Sequence, residues 1–395
     1  NIDLSTCGTP TSSSNTIVQI APSFRAPYTE QLGASLERQL TKTTTVTATY
    51  LRSFGVHQLV TRDSNAFLPG TFQYGSPTLA GVRPNPSLGI VNQFFPEAVF
   101  KQNQVIVNVN ARIKPNFSIF GFYNWTNAKT DGGGGSTASN AYNLSQDYGR
   151  AAFSSTNMVF MMANYTGPWA IRFNPFLIAQ SGKPYNIVTT NDLTGDNFFN
   201  NRPALVDNSL CAGASTRYAP TQFGCLDTTP ADNYTPIGMN LGNGPAAVAL
   251  NLRLSRAFGI GPRLESSTNA GGPPPPGGRG GGGPDGGYGG RGGAPGGGLG
   301  PGGLGGGGGG ARGMFGGGGT GRKYSLTFSA QALNLFNNID YGTPSGSVIP
   351  TPDAATNTTS PGDRFGHSFS LARGMFASPT SSAARRIFFQ AEFSF

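Results

Sequence analysis

The sequence is poor in charge and has no long hydrophobic runs. Of its 395 residues only 11% are Asp, Glu, Lys or Arg, less than half the roughly 25% of an ordinary soluble domain. The polar surface is therefore carried by Asn, Thr, Ser and Gln. No uninterrupted apolar run approaches the ~20 residues that a spanning helix requires, which excludes helical membrane spans. A closed β-barrel also satisfies its backbone in lipid, and it needs only alternate residues to be apolar. Catalytic chemistry is sparse as well. His57 and His367 are the only two histidines, too far apart in sequence for a local metal pair, and no zinc-protease helix or Cys-x-x-Cys occurs. Gly-x-Gly-x-x-Gly matches fall only inside a glycine tract, without strand-turn-helix context and without a phosphate-loop Lys. The expectation is a protein that is not an enzyme and carries no cofactor or metal.

The net charge of +9 comes from 27 Lys and Arg scattered singly rather than gathered on a stripe, so no nucleic-acid partner is expected. Asn1 to Ser14 lack a basic-then-apolar export signal, and the chain is expected to begin inside a longer protein. Cys211 and Cys225 bracket a polar stretch in a way that suits a loop-closing disulfide and an oxidising compartment, with unpaired thiols as the alternative. Asp192, Thr194 and Asp196 have calcium-like spacing, but the twelfth-position Glu of a helical calcium loop is absent and an Asx-type turn is the default.

The ordering signal is period-two alternation. Val105, Val107, Val109, Ala111 and Ile113 fall on one face, with Asn108, Asn110 and Arg112 on the other. Val46, Ala48 and Tyr50 alternate with Thr45, Thr47 and Thr49. Val248, Leu250, Leu252 and Leu254 alternate with Ala249, Asn251, Arg253 and Ser255. The tail sets Ile387, Phe389, Ala391, Phe393 and Phe395 against Phe388, Gln390, Glu392 and Ser394. Nine such segments are expected, near 27–40, 43–62, 99–113, 117–131, 154–167, 169–188, 245–258, 323–340 and 385–395. Short links at 41–42, 114–116 and Gly167-Pro168 contrast with long ones at 63–98, 132–153, 189–244 and 341–384. Transmembrane barrels pair tight periplasmic turns with long external loops in this way, whereas a soluble β-sandwich shows no consistent parity. The fold class expected is all-β, a transmembrane antiparallel β-barrel, with about nine strands forming the C-terminal portion of a larger one.

Alternation also assigns roles. Asn108, Asn110, Arg112, Arg172, Asn251 and Arg253 are the candidate lumen-facing residues, and polar lumen residues are the norm in barrels. Phe117, Tyr165, Trp169, Tyr324 and Phe395 lie at the ends expected to be periplasmic, on the lipid face, as an aromatic girdle does. Residues 261–322 break the pattern with a Pro run at 273–276 and about half of the 60 glycines. Such a tract is expected to be disordered. Counting back from the last strand puts it in the periplasm. Arg279 and Arg291 open RGG steps around Tyr288, like RNA-binding RGG segments, but a solvated insertion is the expected reading. The chain thus divides into barrel strands with long loops at 1–260, the insertion at 261–322, and two last strands with a C-terminal assembly signal at 323–395. Nine strands would leave the first and last running in the same direction, which again points to missing strands upstream.

Pro27-Tyr28-Thr29-Glu30-Gln31 leading into Leu36-Glu37-Arg38-Gln39-Leu40 resembles a barrel strand of TonB-dependent receptors, the Oar-like subgroup in particular. Tyr50-Leu51-Arg52-Ser53-Phe54-Gly55 with His57 and Leu59 resembles that group's next strand. Asn191-Asp192-Leu193-Thr194-Gly195-Asp196 through Asn201-Arg202-Pro203 resembles its recurrent loop, and Ala332-Leu333-Asn334-Leu335-Phe336-Asn337 its penultimate strand. One departure is Gln390, where outer-membrane proteins usually carry a Gly. The resemblance implies a barrel of 22 strands around a plug in the bacterial outer membrane. It also implies energised transport of a bulky ligand of unknown identity, with the TonB complex as partner through the plug region. Outer-membrane lipid and, through the last strand, the barrel-assembly machinery are the other partners implied. A passive porin-like channel and a surface adhesin are the alternatives.

Overall fold

The computed structural model describes residues 16–132, 136–231, 234–263, 322–372 and 384–395. Among the described residues nine long strands make one meander: β1 (Tyr28–Thr41), β2 (Thr44–Asp63), β3 (Val91–Lys114), β4 (Phe117–Thr130), β5 (Asn157–Thr166), β6 (Arg172–Gln180), β7 (Ala247–Arg263), β8 (Arg322–Leu333) and β9 (Arg386–Ser394). Each pairs antiparallel with the next in sequence order. Among the described residues β1 and β9 do not pair with each other.

All the tight connections lie at one end of the sheet. Lys42-Thr43 closes β1 to β2, with Thr41 opposite Thr44. Pro115-Asn116 closes β3 to β4, with Lys114 opposite Phe117; Pro115 has no N–H to lose from a ladder there. Gly167 donates its N–H to the Ile171 carbonyl across the β5–β6 turn, where Trp169 and Ala170 adopt positive φ. Arg263 stands opposite Arg322 at that same end. The glycine tract between them lies outside the described residues. The opposite end carries the four long connections, residues 64–90, 131–156, 181–246 and 334–385.

Strand limits differ from the alternation in ways that have local causes. β3 starts at Val91 rather than near 99, because Pro96 sits in a bulge where Gln58 pairs with Ala98 and Val60 with Phe95; proline is tolerated in a sheet at such irregularities. β6 stops at Gln180. Past it, Pro184-Tyr185 pairs with Gly242-Asn243 and Val188-Thr189 with Ser347-Val348, so the rest of the expected strand belongs to the loops. β8 ends at Leu333 because Asn334 and Asn337 adopt positive φ, and the Asn334 side chain binds both the N–H and the carbonyl of Asn338. β7 runs through Gly261 to Arg263, past the expected edge of the insertion.

The long connections fold together into a cap. Ala204–Val206, Gly224–Asp227 and Tyr218–Thr221 form a small sheet in the β6–β7 connection, and Cys211 is disulfide-bonded to Cys225 beside it. Tyr185, Ile187, Ala219, Leu226, Ile237, Val348 and Phe365 form an apolar core drawn from the β6–β7 and β8–β9 connections. Fully burying a large apolar side chain contributes ~1.5–3 kcal/mol, so this cluster holds two loops that are remote in sequence.

Candidate functional site: the shielded face and the loop cap

The register sorts the long strands into two faces. Val46, Val109, Gly121, Met161, Leu177 and Leu250 stand opposite one another in a single row from β2 to β7. The next row on that face is Ala48, Val107, Tyr123, Val159, Ala179 and Val248. From β2 to β7 both rows lack any charge; on β1 the first continues to Arg38, opposite Val46, and the second to Leu36, opposite Ala48. On the other, shielded face a row runs Thr45, Asn110, Phe120, Met162, Phe176 and Asn251. Asn108 lies on the neighbouring row of the same face, opposite Thr47 and Phe122.

All six polar residues singled out by alternation fall on this shielded face. Arg112 is opposite Ser118, Arg172 opposite Ser255, and Arg253 opposite Asn174. The three arginines occupy the half nearer the tight turns. Asn251 is buried and its Oδ1 accepts the Asn334 N–H at 2.8 Å, so its role is to hold the end of β8. Asn110 and Arg112 are exposed.

The shielded face also carries an apolar stripe that alternation does not reveal. Leu51, Ile106, Phe122, Phe160, Met162, Phe176 and Ile178 are all buried in one cluster, with Phe120 and Met158 against it. Phe122 and Phe160 stack at 5.4 Å between ring centroids. The signal was present in Met158-Val159-Phe160-Met161-Met162, which has no polar residue on either face.

The five aromatics near the tight turns are spread along that end. Phe117 and Tyr165 pair across strands with rings edge to face at 6.1 Å, and Tyr165 continues to Phe173 at 5.9 Å. Tyr324 stacks on Phe393, which in turn meets Phe395. Trp169 projects from the β5–β6 turn itself and is 77% exposed.

In the cap, the Asn191–Pro203 loop is built around two side chains. The Asp192 carboxylate accepts backbone N–H groups from Thr194, Gly195, Asp196 and Asn197, an Asx-type arrangement that leaves it turned onto its own loop. Among the described residues no group of three or more His, Cys, Asp or Glu side chains is placed to hold a metal. Arg202 is buried and pairs with Asp147 at 2.6 Å, and it also donates to the carbonyls of Ile237 and Gln146. Arg83 pairs with buried Asp63 at 2.8 Å and donates to the Gly195 carbonyl, joining the β2–β3 and β6–β7 connections. Between these connections lies a cavity of about 420 Å³, lined in part by Phe67, Phe72, Tyr142, Asn143, Asp196 and Tyr234. Burial pushes the Asp196 carboxyl up to about 7 and the Tyr234 hydroxyl up to about 12. Sequence reasoning missed the Arg202–Asp147 pair, because 55 residues separate its members.

A sequential antiparallel meander whose outward mid-strand rows are uncharged from β2 to β7, with tight turns at one end and long loops at the other, defines a membrane β-barrel protein. Residues 3–268 match the family described as outer membrane beta barrel domain. With well over half of the chain matched, the protein belongs to that family, and its place is the bacterial outer membrane, in contact with lipid. A comparison with curated proteins finds no match. Among solved structures, the outer membrane transporter YddB from Escherichia coli aligns over 88% of this chain and 32% of its own, at 11% identity and a TM-score of 0.40. The FrpB iron transporter from Neisseria meningitidis (F3-3 variant) aligns over 88% of this chain and 31% of its own, at 7% identity and a TM-score of 0.35. The chain thus spans about a third of the length of each.

Proposed function

We propose that this chain is the barrel portion of a TonB-dependent receptor of the Oar-like kind, which moves a bulky ligand across the outer membrane by energised transport and performs no catalysis. The observation that carries this reading is the apolar stripe on the shielded face. A water-filled channel is lined by polar side chains, whereas on this face Leu51, Ile106, Phe122, Phe160, Met162, Phe176 and Ile178 bury against one another, which suits a filled lumen rather than an open one. The cap supports the same reading, since its loops are tied together around a cavity instead of standing open like a pore mouth. In this reading Asn108, Asn110, Arg112, Arg172 and Arg253 face the lumen. The TonB complex acts through a plug region, and β9 is the strand that the barrel-assembly machinery receives.

The test needs no knowledge of the ligand. The full-length protein, purified from outer membranes, is placed in planar bilayers and, separately, presented to the periplasmic domain of TonB. A closed barrel that binds TonB is the expected result. Stable open conductance would favour the porin reading, and a closed barrel that ignores TonB would favour an adhesin.

A further inference from the structure

One row on the outward face of β3 and β4 brings several cations together. Above the uncharged rows, Tyr50 and Trp125 flank Val105, the level at which aromatic side chains meet the external membrane interface. Four residues further along β3, Lys101 stands directly opposite Lys129 of β4, and Lys129 directly opposite Arg150. Arg52, opposite Asn103, lies one row nearer the aromatics on the same face. Lys101, Lys129 and Arg52 are exposed.

Like charges directly opposite on adjacent strands are destabilising, and Cβ atoms there are only about 4.5–5.5 Å apart. Glu30 of β1 ends the same row beyond Phe54, but among the described residues no ion pair joins it to Lys101, Lys129 or Arg52. None of the four ion pairs among the described residues involves Lys101, Lys129, Arg52 or Arg150. Glu97 is engaged by Arg62 at 3.0 Å. Asp131, two residues beyond Lys129, spends an oxygen on the Val99 N–H; burial holds its carboxyl above the usual range, and the Lys101 charge pulls it down less than any other influence on it. Arg150 is turned onto the carbonyls of Asn240, Leu241 and Gly242. The Lys101 ammonium lies between the Phe54 and Tyr148 rings, 5.8 and 5.7 Å from their centroids, which fixes its position without cancelling its charge.

We infer that Lys101, Lys129 and Arg52 form a binding site for the phosphate groups of an anionic glycolipid headgroup in the outer leaflet. The position fits such an occupant: the row lies just beyond the external aromatics on the lipid-facing side, where headgroup phosphates are and solvent anions must compete with them. Clustered Lys and Arg at membrane depth recognise phosphorylated headgroups by charge and hydrogen bonding. Acyl chains of the same lipid would lie along the uncharged rows of Val107, Tyr123 and Val159.

The experiment uses the protein purified from outer membranes in detergent and stripped of lipid. Bisphosphorylated lipid A is added, and binding is read by native mass spectrometry and by the shift of the thermal midpoint. Parallel arms receive the dephosphorylated lipid and inorganic phosphate. Bound lipid A and a raised midpoint are expected, with little effect of the dephosphorylated lipid and none of inorganic phosphate at the same concentration. Lys101→Gln/Lys129→Gln should weaken lipid A binding at least tenfold, while Lys101→Arg/Lys129→Arg keeps it. Without lipid the Gln variant should melt no lower than the parent, because the opposed charges are gone, and this separates loss of the site from loss of the fold. Equal binding by the Gln variant, or equal binding of the dephosphorylated lipid, would overturn the inference. So would full replacement of lipid A by free phosphate.

Discussion

Val109→Arg tests the assignment of faces most directly. Val109 lies on β3 between Val105, which is opposite Trp125 and Tyr50, and Lys114, which is opposite Phe117. It therefore sits midway between the two aromatic levels, and its cross-strand neighbours are Val46 and Gly121. With ~3.4 Å per residue and a tilt near 45°, five residues from Lys114 correspond to about 12 Å of depth, half of a ~25 Å apolar band. Arginine on the lipid face at mid-depth costs ~2–4 kcal/mol, or roughly 30- to 700-fold in the folded fraction at 1.4 kcal/mol per factor of ten. Gly121 offers no side chain to shield the charge. Asn110→Arg, one residue away on the shielded face and exposed there, should cost little. Both variants are made in the protein as the cell produces it, and the fraction of heat-modifiable barrel in isolated outer membranes is measured. Equal yields, or a greater loss for Asn110→Arg, would refute the face assignment.

Four further outcomes are expected. Replacing Cys211 and Cys225 by Ser removes a cross-link between residues 14 apart, worth ~3 kcal/mol in the chain-entropy view; limited proteolysis should then cut the cap between residues 204 and 227 faster while the barrel stays heat-modifiable. Arg202→Met strands the buried Asp147 carboxylate, a loss of ~3–5 kcal/mol, and adding Asp147→Asn should restore part of the cap's protease resistance. The Asp196 carboxyl, raised by burial to about 7, binds its proton more tightly folded than unfolded. Its ionisation therefore costs nothing below about pH 4, costs progressively more up to about pH 7, and costs at most ~4 kcal/mol above that. Asp196→Asn, which keeps an acceptor for the Phe198 N–H, should steady the cap at pH 8 and not at pH 4, as read by hydrogen exchange at residues 192–201. Finally, an epitope inserted at residue 300 should be inaccessible to antibody on intact cells and accessible after the outer membrane is permeabilised, since Arg263 and Arg322 leave and re-enter the sheet at its tight-turn end; labelling of intact cells would put that end outside.

Alternation alone determined the nine strands, their order and the two faces, because a period of two is a property of the backbone that every strand must show wherever one side is apolar. Val105 to Ile113 and Val248 to Leu254 could be sorted without knowing their neighbours. The contrast between the short link at 114–116 and the long one expected at 189–244 likewise separated an end of tight turns from an end of long loops. What alternation could not reach was anything made of contacts between distant segments. The shielded aromatic stripe escaped it because the middles of β4 to β6, at Phe120–Phe122, Met158–Met162 and Phe176–Ala179, are apolar on both faces, so alternation gives the parity there but not which side packs into a buried cluster. The cap escaped it for a different reason. Arg202 and Asp147, Arg83 and Asp63, and Val188 and Ser347 meet only when loops are folded against one another, and nothing local marks such partners. The patch of Lys101, Lys129 and Arg52 belongs to the same class: three isolated cations in sequence come together because cross-strand register sets Lys101 opposite Lys129 with Arg52 one row away.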